Sequence, residues 1–340
     1  MFFNVAVLVA SLIAILGACY LFTNAIEWAG KRFDLGHGAV GSVLAGVGTA
    51  MPETMIPIMA ILVSTGKTPQ DIAASHGVGI GAILGAPFML STLAFLVTGA
   101  SVYIWAALGR RKTLMTVDRR AVGRDLQFFL VSYSLVVLTG LVPKRPLHIA
   151  TGVAVMLIYL VYLRVVFKDK GGANGHVEPL HFSRHTPVPG FLPIVVQTVV
   201  SLALIIVGAH FFVKATVHVS EVMKISPIVL SLIIAPIATE LPEKANSIIW
   251  TGQSKDTLAM GNITGAMVFQ STFPVTIGML FTAWDLDVIS LVSATIALLS
   301  GLANYVLLRV RGKMSPLQLA LSGILYLVFI MHVVMGWGLR

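Results

Sequence analysis

Gly48-Thr49-Ala50-Met51-Pro52-Glu53 and Ala238-Thr239-Glu240-Leu241-Pro242-Glu243 each place a Thr-x-x-Pro-Glu inside a long apolar run. The strings stand 190 positions apart in a chain of 340 residues, so each half carries one copy. A carboxylate at the centre of a membrane helix costs about 2.5–3.5 kcal/mol even on insertion scales. The proline beside it has no amide hydrogen and interrupts the helix. Two such breaks at matching positions predict one split cation site built from a duplicated unit.

The surrounding chain is 57% hydrophobic and 11% charged, with a mean hydropathy of +0.91. A soluble domain carries roughly a quarter charged residues, so a polytopic membrane protein is expected. Ten apolar runs can be drawn, at 4–24, 38–62, 77–106, 126–143, 147–167, 191–213, 225–250, 257–283, 287–308 and 315–338. Each can cross a hydrocarbon core of about 30 Å as a helix. The alternating polar–apolar strands of a membrane barrel are absent from the sequence. The expected fold is therefore all-α.

A net charge of +9 raises the question of a nucleic-acid partner, but the basic residues follow the loops. With the N-terminus outside, sixteen fall on the inside, among them Arg110, Arg111, Lys112, Arg119, Arg120 and Arg309. Six fall outside, and Lys244 lies within a run. The positive-inside rule then puts both termini outside and the lipid bilayer in the place of the expected partner, with no nucleic acid. Oligomeric state is left open. Cys19 is the only cysteine, which excludes a disulfide framework. The first run lacks a basic leader and a small-residue cleavage signature, so it reads as helix one rather than a signal peptide. Short loops and no targeting segment point to a prokaryotic plasma membrane.

An internal repeat is visible by eye. Gly17-Ala18-Cys19-Tyr20-Leu21-Phe22 is echoed by Gly208-Ala209-His210-Phe211-Phe212-Val213. Downstream, the stretch from Gly81 to Thr92 is echoed by that from Gly261 to Thr272. Five helices per half is an odd number, which forces an inverted-topology repeat. The expected division is a first repeat over 1–167, a linker over 168–190 and a second repeat over 191–340. The linker holds His176, His181 and His185. These could bind a metal, but an exposed, flexible loop is the expectation.

Pro52 deprives the Gly48 carbonyl of its helical donor, and Pro242 does the same for Ala238. Thr49 and Glu53 share a helix face at i,i+4, as do Thr239 and Glu243. Each half thus offers a freed carbonyl, a hydroxyl and a carboxylate, hard oxygen ligands suited to Ca²⁺ or Na⁺. The competing reading is a plain proline kink with protonated, hydrogen-bonded glutamates, and the duplication argues against it.

On these residues the chain resembles the sodium/calcium exchanger family. The two repeats of that family carry a Gly/Ala-Thr-Ser-Leu-Pro-Glu motif followed by a Gly-Asn-x-x-Gly-Ser-Asn-x-x-Asn/Asp helix. Both Pro-Glu strings match, as does Gly261-Asn262-x-x-Gly265. The resemblance implies ten helices and alternating-access antiport of Ca²⁺ or a related cation against Na⁺. The ions would bind at Glu53, Glu243, Thr49, Thr239 and the carbonyls of Gly48 and Ala238. No cofactor is expected beyond the transported cations.

The chain also departs from that pattern. The motif serine is Ala50 in the first half and Glu240 in the second. The downstream helix has Ala266 and Gln270 at family polar positions. In the first half one register puts Ala86 and Leu90 at the ligand positions and another, anchored on Asp71, puts Ile80 and Leu84 there. All four are apolar, so sodium ligands are lost and proton coupling through the same carboxylates stays open as the alternative.

Glu240 and Lys244 are spaced i,i+4 in the better pairing order. They form either an ion pair in which Lys244 substitutes for a bound monovalent ion, or a lock away from the pathway. Asn246, Asn262 and Gln270 are candidates to support the ligands. His76 falls at the motif asparagine in the Asp71-anchored register and is either a proton carrier or structural. A channel predicts a continuous polar stripe, which Ile80, Leu84, Leu90 and Met267 interrupt. An enzyme is not expected, because the sequence holds no nucleophile–base set, zinc motif or phosphate loop.

Overall fold

A computed structural model describes residues 2–32, 51–63, 68–168, 178–184, 186 and 188–338. In chain order the helices are α1 (Phe2–Arg32), α2 (Met51–Leu62), α3 (Pro69–Met89), α4 (Phe95–Ala107), α5 (Arg119–Gly140), α6 (Arg145–Lys168) and α7 (Phe191–Met223). They continue with α8 (Pro227–Thr239), α9 (Leu241–Gly252), α10 (Asp256–Gln270), α11 (Phe273–Phe281), α12 (Val288–Arg311) and α13 (Pro316–Gly338). A π-turn over Leu90–Ala94 joins α3 to α4. No strand occurs among the described residues.

Eight stretches are long and apolar enough to cross a membrane, including the continuous Pro69–Ala107 and Asp256–Phe281. The two remaining expected runs, 38–62 and 225–250, are the ones holding the Pro-Glu strings. There the apolar helices are short, Glu53–Leu62 and Pro227–Ile237. Residues 38–50 of the first run lie outside the described residues, whereas the second is broken beside a proline. Pro242 lies in the first turn of α9, and the helix is interrupted at Glu240, which has φ −88° and ψ 12°. Gly48 and Thr49 lie outside the described residues, so their predicted roles have no structural counterpart here.

Helix neighbours pair off when the halves are exchanged. α2 packs on α3 as α9 packs on α10, and α4 on α13 as α11 on α6. α5 meets α10 as α12 meets α3, and α4 meets α9 as α11 meets α2. Even single residues follow this rule. Ser132 of α5 hydrogen-bonds Ser271 after α10 at 3.0 Å, and Ser300 of α12 donates to the Ser91 carbonyl after α3. That correspondence agrees with the register in which Leu90 stands where Gln270 stands.

α3 is the central helix, enclosed by α2, α7, α8 and α12. Glycine makes its closest crossing possible, since a Cβ at Gly81 or Gly85 would collide with the carbonyl oxygens of Ile228 and Leu232 on α8. Of the other small residues of α3, Gly79 packs against Ile61 of α2, whereas Gly77, like Gly81 and Gly85, faces α8. Ser231 of α8 seals the same crossing by donating to the Val78 carbonyl at 2.8 Å.

α1 and α7 lie along each other. At 31 and 33 residues they are about 46–50 Å long, well beyond a core of about 30 Å, so they tilt or protrude. They meet α2 through their own apolar cluster, which includes Leu12, Ile15, Phe22, Ile56, Met59 and Phe212.

Part of the linker is held on this pair, contrary to the expectation of a free loop. Trp28 and Asn24 both donate to the Glu178 carbonyl, at 2.8 and 3.1 Å. Tyr20 donates to the Glu178 carboxylate at 2.8 Å. Gln197 of α7 donates to the Leu21 carbonyl and accepts from the Phe182 amide. Leu180 is buried with Ala25, Trp28 and Ile194. Polar side chains of α1 and α7 thus find their partners in linker backbone. His181 stacks near Tyr20, and His176 and His185 lie outside the described residues.

The loop before α5 is pinned as firmly. Arg111 binds Asp256 through both carboxylate oxygens, at 2.6 and 3.0 Å. It also donates to the Thr251 carbonyl at the end of α9. Both side chains are almost fully buried. Breaking such a pair from one side leaves a stranded charge and costs about 3–5 kcal/mol. Asp256→Ala and Arg111→Ala should each lower the melting temperature of the purified protein by several degrees. The double substitution should lose less than the sum, and strict additivity in thermal unfolding would show that the pair is not coupled.

Candidate cation-binding site

Glu243 sits beside Pro242 at the start of α9, and Glu53 lies near the start of the described part of α2. Glu53 is in the first turn of α2 and Glu243 in the first turn of α9, with Glu240 at the N-cap of α9. Helix N-termini present unpaired amides and positive dipole ends, which favour carboxylates there. The three side chains are at most 5% exposed. Glu53 lies within electrostatic reach of both Glu243 and Glu240, so the two halves meet at this point.

Among the described residues, both carboxylate oxygens of Glu53, one of Glu240 and one of Glu243 are buried without a hydrogen-bond partner, as is the amide oxygen of Gln270 on α10. Thr239 lies beside Glu53, but its hydroxyl donates to the Ala235 carbonyl at 3.0 Å. Buried acceptors are nearly always satisfied, and an unpaired buried carboxylate is among the costliest groups in a protein. Hard oxygens left over in this way are what a cation with oxygen coordination requires.

The supporting residues divide. Asn262 of α10 donates to the Glu243 carbonyl at 3.3 Å, and Ser247 donates to the same carbonyl at 2.8 Å. These bonds hold the start of α9 from behind. Lys244 is buried and donates to Glu240 at 3.2 Å. Asn246 is half-buried and makes no hydrogen bond among the described residues. His76 lies elsewhere, with its Nε2 3.2 Å from the Ile61 carbonyl. Ile61 is eight residues beyond Glu53, about 12 Å along α2, so His76 ties down the far end of that helix. The backbone of Ala238 lies in the last turn of α8.

Three neighbours of the cluster carry no motif signal. Met89, the last residue of α3, puts its sulfur 3.3 Å from the Lys244 ammonium. Tyr326 of α13 lies within electrostatic reach of Glu240, and its hydroxyl is buried with no hydrogen-bond partner among the described residues. Cys19 of α1 is buried within electrostatic reach of Glu53 and Glu243. The first half's apolar positions Ile80, Leu84, Ala86 and Leu90 are buried in hydrophobic packing and bring no oxygen. A separate cavity, lined by Phe3, Asp71, Phe211, Lys214, His218 and Glu221, contains none of the predicted residues.

Comparison with known proteins agrees with this architecture. The putative antiporter CaxA of Alkalimonas amylolytica is 30% identical over 111 residues, which span 31% of this chain and 35% of that relative. Among solved structures, the H⁺/Ca²⁺ exchanger CAX superposes with a TM-score of 0.76 at 15% identity, covering 97% of this chain and 81% of the other. The sodium-calcium exchanger NCX_Mj superposes at 0.59 with 19% identity, over 96% of this chain and 97% of the other. At these identities the likeness is one of fold. The family model described as sodium/calcium exchanger protein matches residues 3–168 and 193–335. With that match over most of its length, this multi-pass membrane chain belongs to the sodium/calcium exchanger protein family.

Proposed function

We propose that the chain is a secondary antiporter that moves Ca²⁺ or a related divalent cation against Na⁺. The carrying observation is that Glu53 and Glu243, one from each Pro-Glu string, lie within electrostatic reach of each other, with buried carboxylate oxygens that find no hydrogen-bond partner among the described residues. Glu53 and Glu243 would ligate the divalent ion. Thr239, Glu240 and the Ala238 carbonyl would complete the shell together with Thr49 and the Gly48 carbonyl, while Asn262 and Gln270 support it. Exchange follows because one set of carboxylates cannot remain unpaired inside the bilayer. Either the divalent ion or its counter-ions must be bound before the site can reorient.

Alternating access is ascribed to α1 and α7. They form a tied pair with a separate apolar contact to the rest, and the family membership supports a common transport cycle. The pairwise correspondence of helix neighbours supports ten spanning segments arranged as two inverted five-helix repeats. The basic loops support a plasma-membrane orientation with both termini outside. Proton coupling is the second reading. It is favoured by the apolar Ile80, Leu84 and Leu90, which withhold the extra oxygens that sodium needs.

Flux in proteoliposomes tests this directly. A Ca²⁺ gradient should be discharged by Na⁺, and Glu53→Gln or Glu243→Gln should slow the initial rate by about 100-fold or more. Discharge by a pH step in place of Na⁺ would select the second reading. Unaltered flux in both variants would remove the carboxylates from the site.

Cys19 supplies a native reporter of the same cycle. If α1 moves across the carboxylates, labelling of Cys19 by a small membrane-permeant thiol reagent should change severalfold on adding Ca²⁺ to the detergent-purified protein. Identical labelling rates with and without Ca²⁺ would deny that α1 responds to the site.

A further inference from the structure

Glu240 and Lys244 are a paired departure from the repeat. At the equivalent positions, 190 residues earlier, the first half has Ala50 and Thr54. The second half therefore adds one negative and one positive charge a single helical turn apart. Both side chains are buried, at 2% and 8% exposure. The Lys244 ammonium sits 3.2 Å from one Glu240 oxygen and 3.3 Å from the Met89 sulfur. A thioether is a weak acceptor, so among the described residues Glu240 is the one strong partner of an ammonium with three protons to give.

The pair does not stand apart from the carboxylates. Glu240 acts electrostatically on Glu53, and Lys244 acts on Glu243. The second Glu240 oxygen accepts no hydrogen bond among the described residues, like those left over on Glu53 and Glu243. A helix lock would consume both oxygens and face away from the site. Here the ammonium neutralises one carboxylate of the cluster and leaves the others open.

We propose that Lys244 is a resident cation of the transport site, standing where a family member without it would carry one more monovalent ion. Three carboxylates and one ammonium leave a formal charge of −2. One divalent ion, or two monovalent ions, then balances the site, and exchange is electroneutral. Because the ammonium is covalently tethered, it is present in both half-cycles and is never released. The proposal rests on the reading of Glu53 and Glu243 as the transport site, and it specifies how much charge that site moves.

The test uses the full-length protein in proteoliposomes held at a set K⁺ diffusion potential. Ca²⁺ is the divalent probe, with Na⁺ or a pH step as the counter-gradient. Wild-type exchange should stop at the same cation gradient whatever the voltage. Lys244→Met should make that gradient shift about tenfold for each 59 mV or so, the signature of one net charge per cycle. Glu240→Gln/Lys244→Met removes both charges and should restore voltage independence.

For variants too slow to cycle, competition against radioactive Ca²⁺ binding gives the same count. The apparent number of competing monovalent ions should rise from about two to about three in Lys244→Met and return to about two in the double variant. Voltage-dependent wild-type exchange would overturn the proposal, as would a Lys244→Met protein with the wild-type charge count. Loss of Ca²⁺ binding in both the single and the double variant would also overturn it, by making Lys244 a helix lock. Glu53→Gln that still binds and transports Ca²⁺ is a different failure, and it would remove the site itself.

Discussion

Three carboxylates buried at the starts of two short helices, with one ammonium among them, set the terms for the rest of the molecule. Burial without donors is costly for any one of these groups. What makes them tolerable is the geometry around them. The chain breaks at Glu240 beside Pro242, so the N-terminal amides and dipole end of α9 lie at the charges. Asn262 and Ser247 fasten the Glu243 backbone from outside. In the proposed reading, the remaining deficit of positive charge is met by the transported ion.

The halves share a plan but not a composition. In the first half, α3 is glycine-rich and apolar toward the centre. Gly81 and Gly85 let it press against α8, so the backbone crossing takes the space that polar ligands would fill. In the second half, α10 keeps Asn262 and Gln270, and α9 adds Glu240 and Lys244. Symmetry therefore survives in the packing, down to the Ser132–Ser271 and Ser300–Ser91 contacts. It is lost in the charge distribution.

Much of this could be read from the chain. The Pro-Glu strings located the carboxylates, and hydrophobic run lengths located eight of the spans as long apolar helices. Of the other two runs, 225–250 is interrupted at Glu240 beside Pro242, and positions 38–50 of 38–62 lie outside the described residues. Other features were illegible because they depend on distant partners. Nothing in the pattern around Met89, Tyr326 or Cys19 signals proximity to Glu240 or Glu53, since each is an apolar-run residue on a different helix. His76 looked like a candidate from its register, yet its imidazole is held by the Ile61 carbonyl. The linker's polar composition suggested a free loop, but Leu180 and the Glu178 carbonyl give it a seat on α1 and α7 that only the tertiary structure supplies.

The central claim is that Glu53 and Glu243 jointly hold the transported divalent ion. Anomalous diffraction from crystals grown with Sr²⁺ addresses it without any assumption about coupling. The account predicts one dominant anomalous peak about 2.3–2.6 Å from carboxylate oxygens of both residues, lost in Glu53→Gln. A peak confined to another site, such as the cavity bearing Asp71 and Glu221, with none between Glu53 and Glu243, would contradict it.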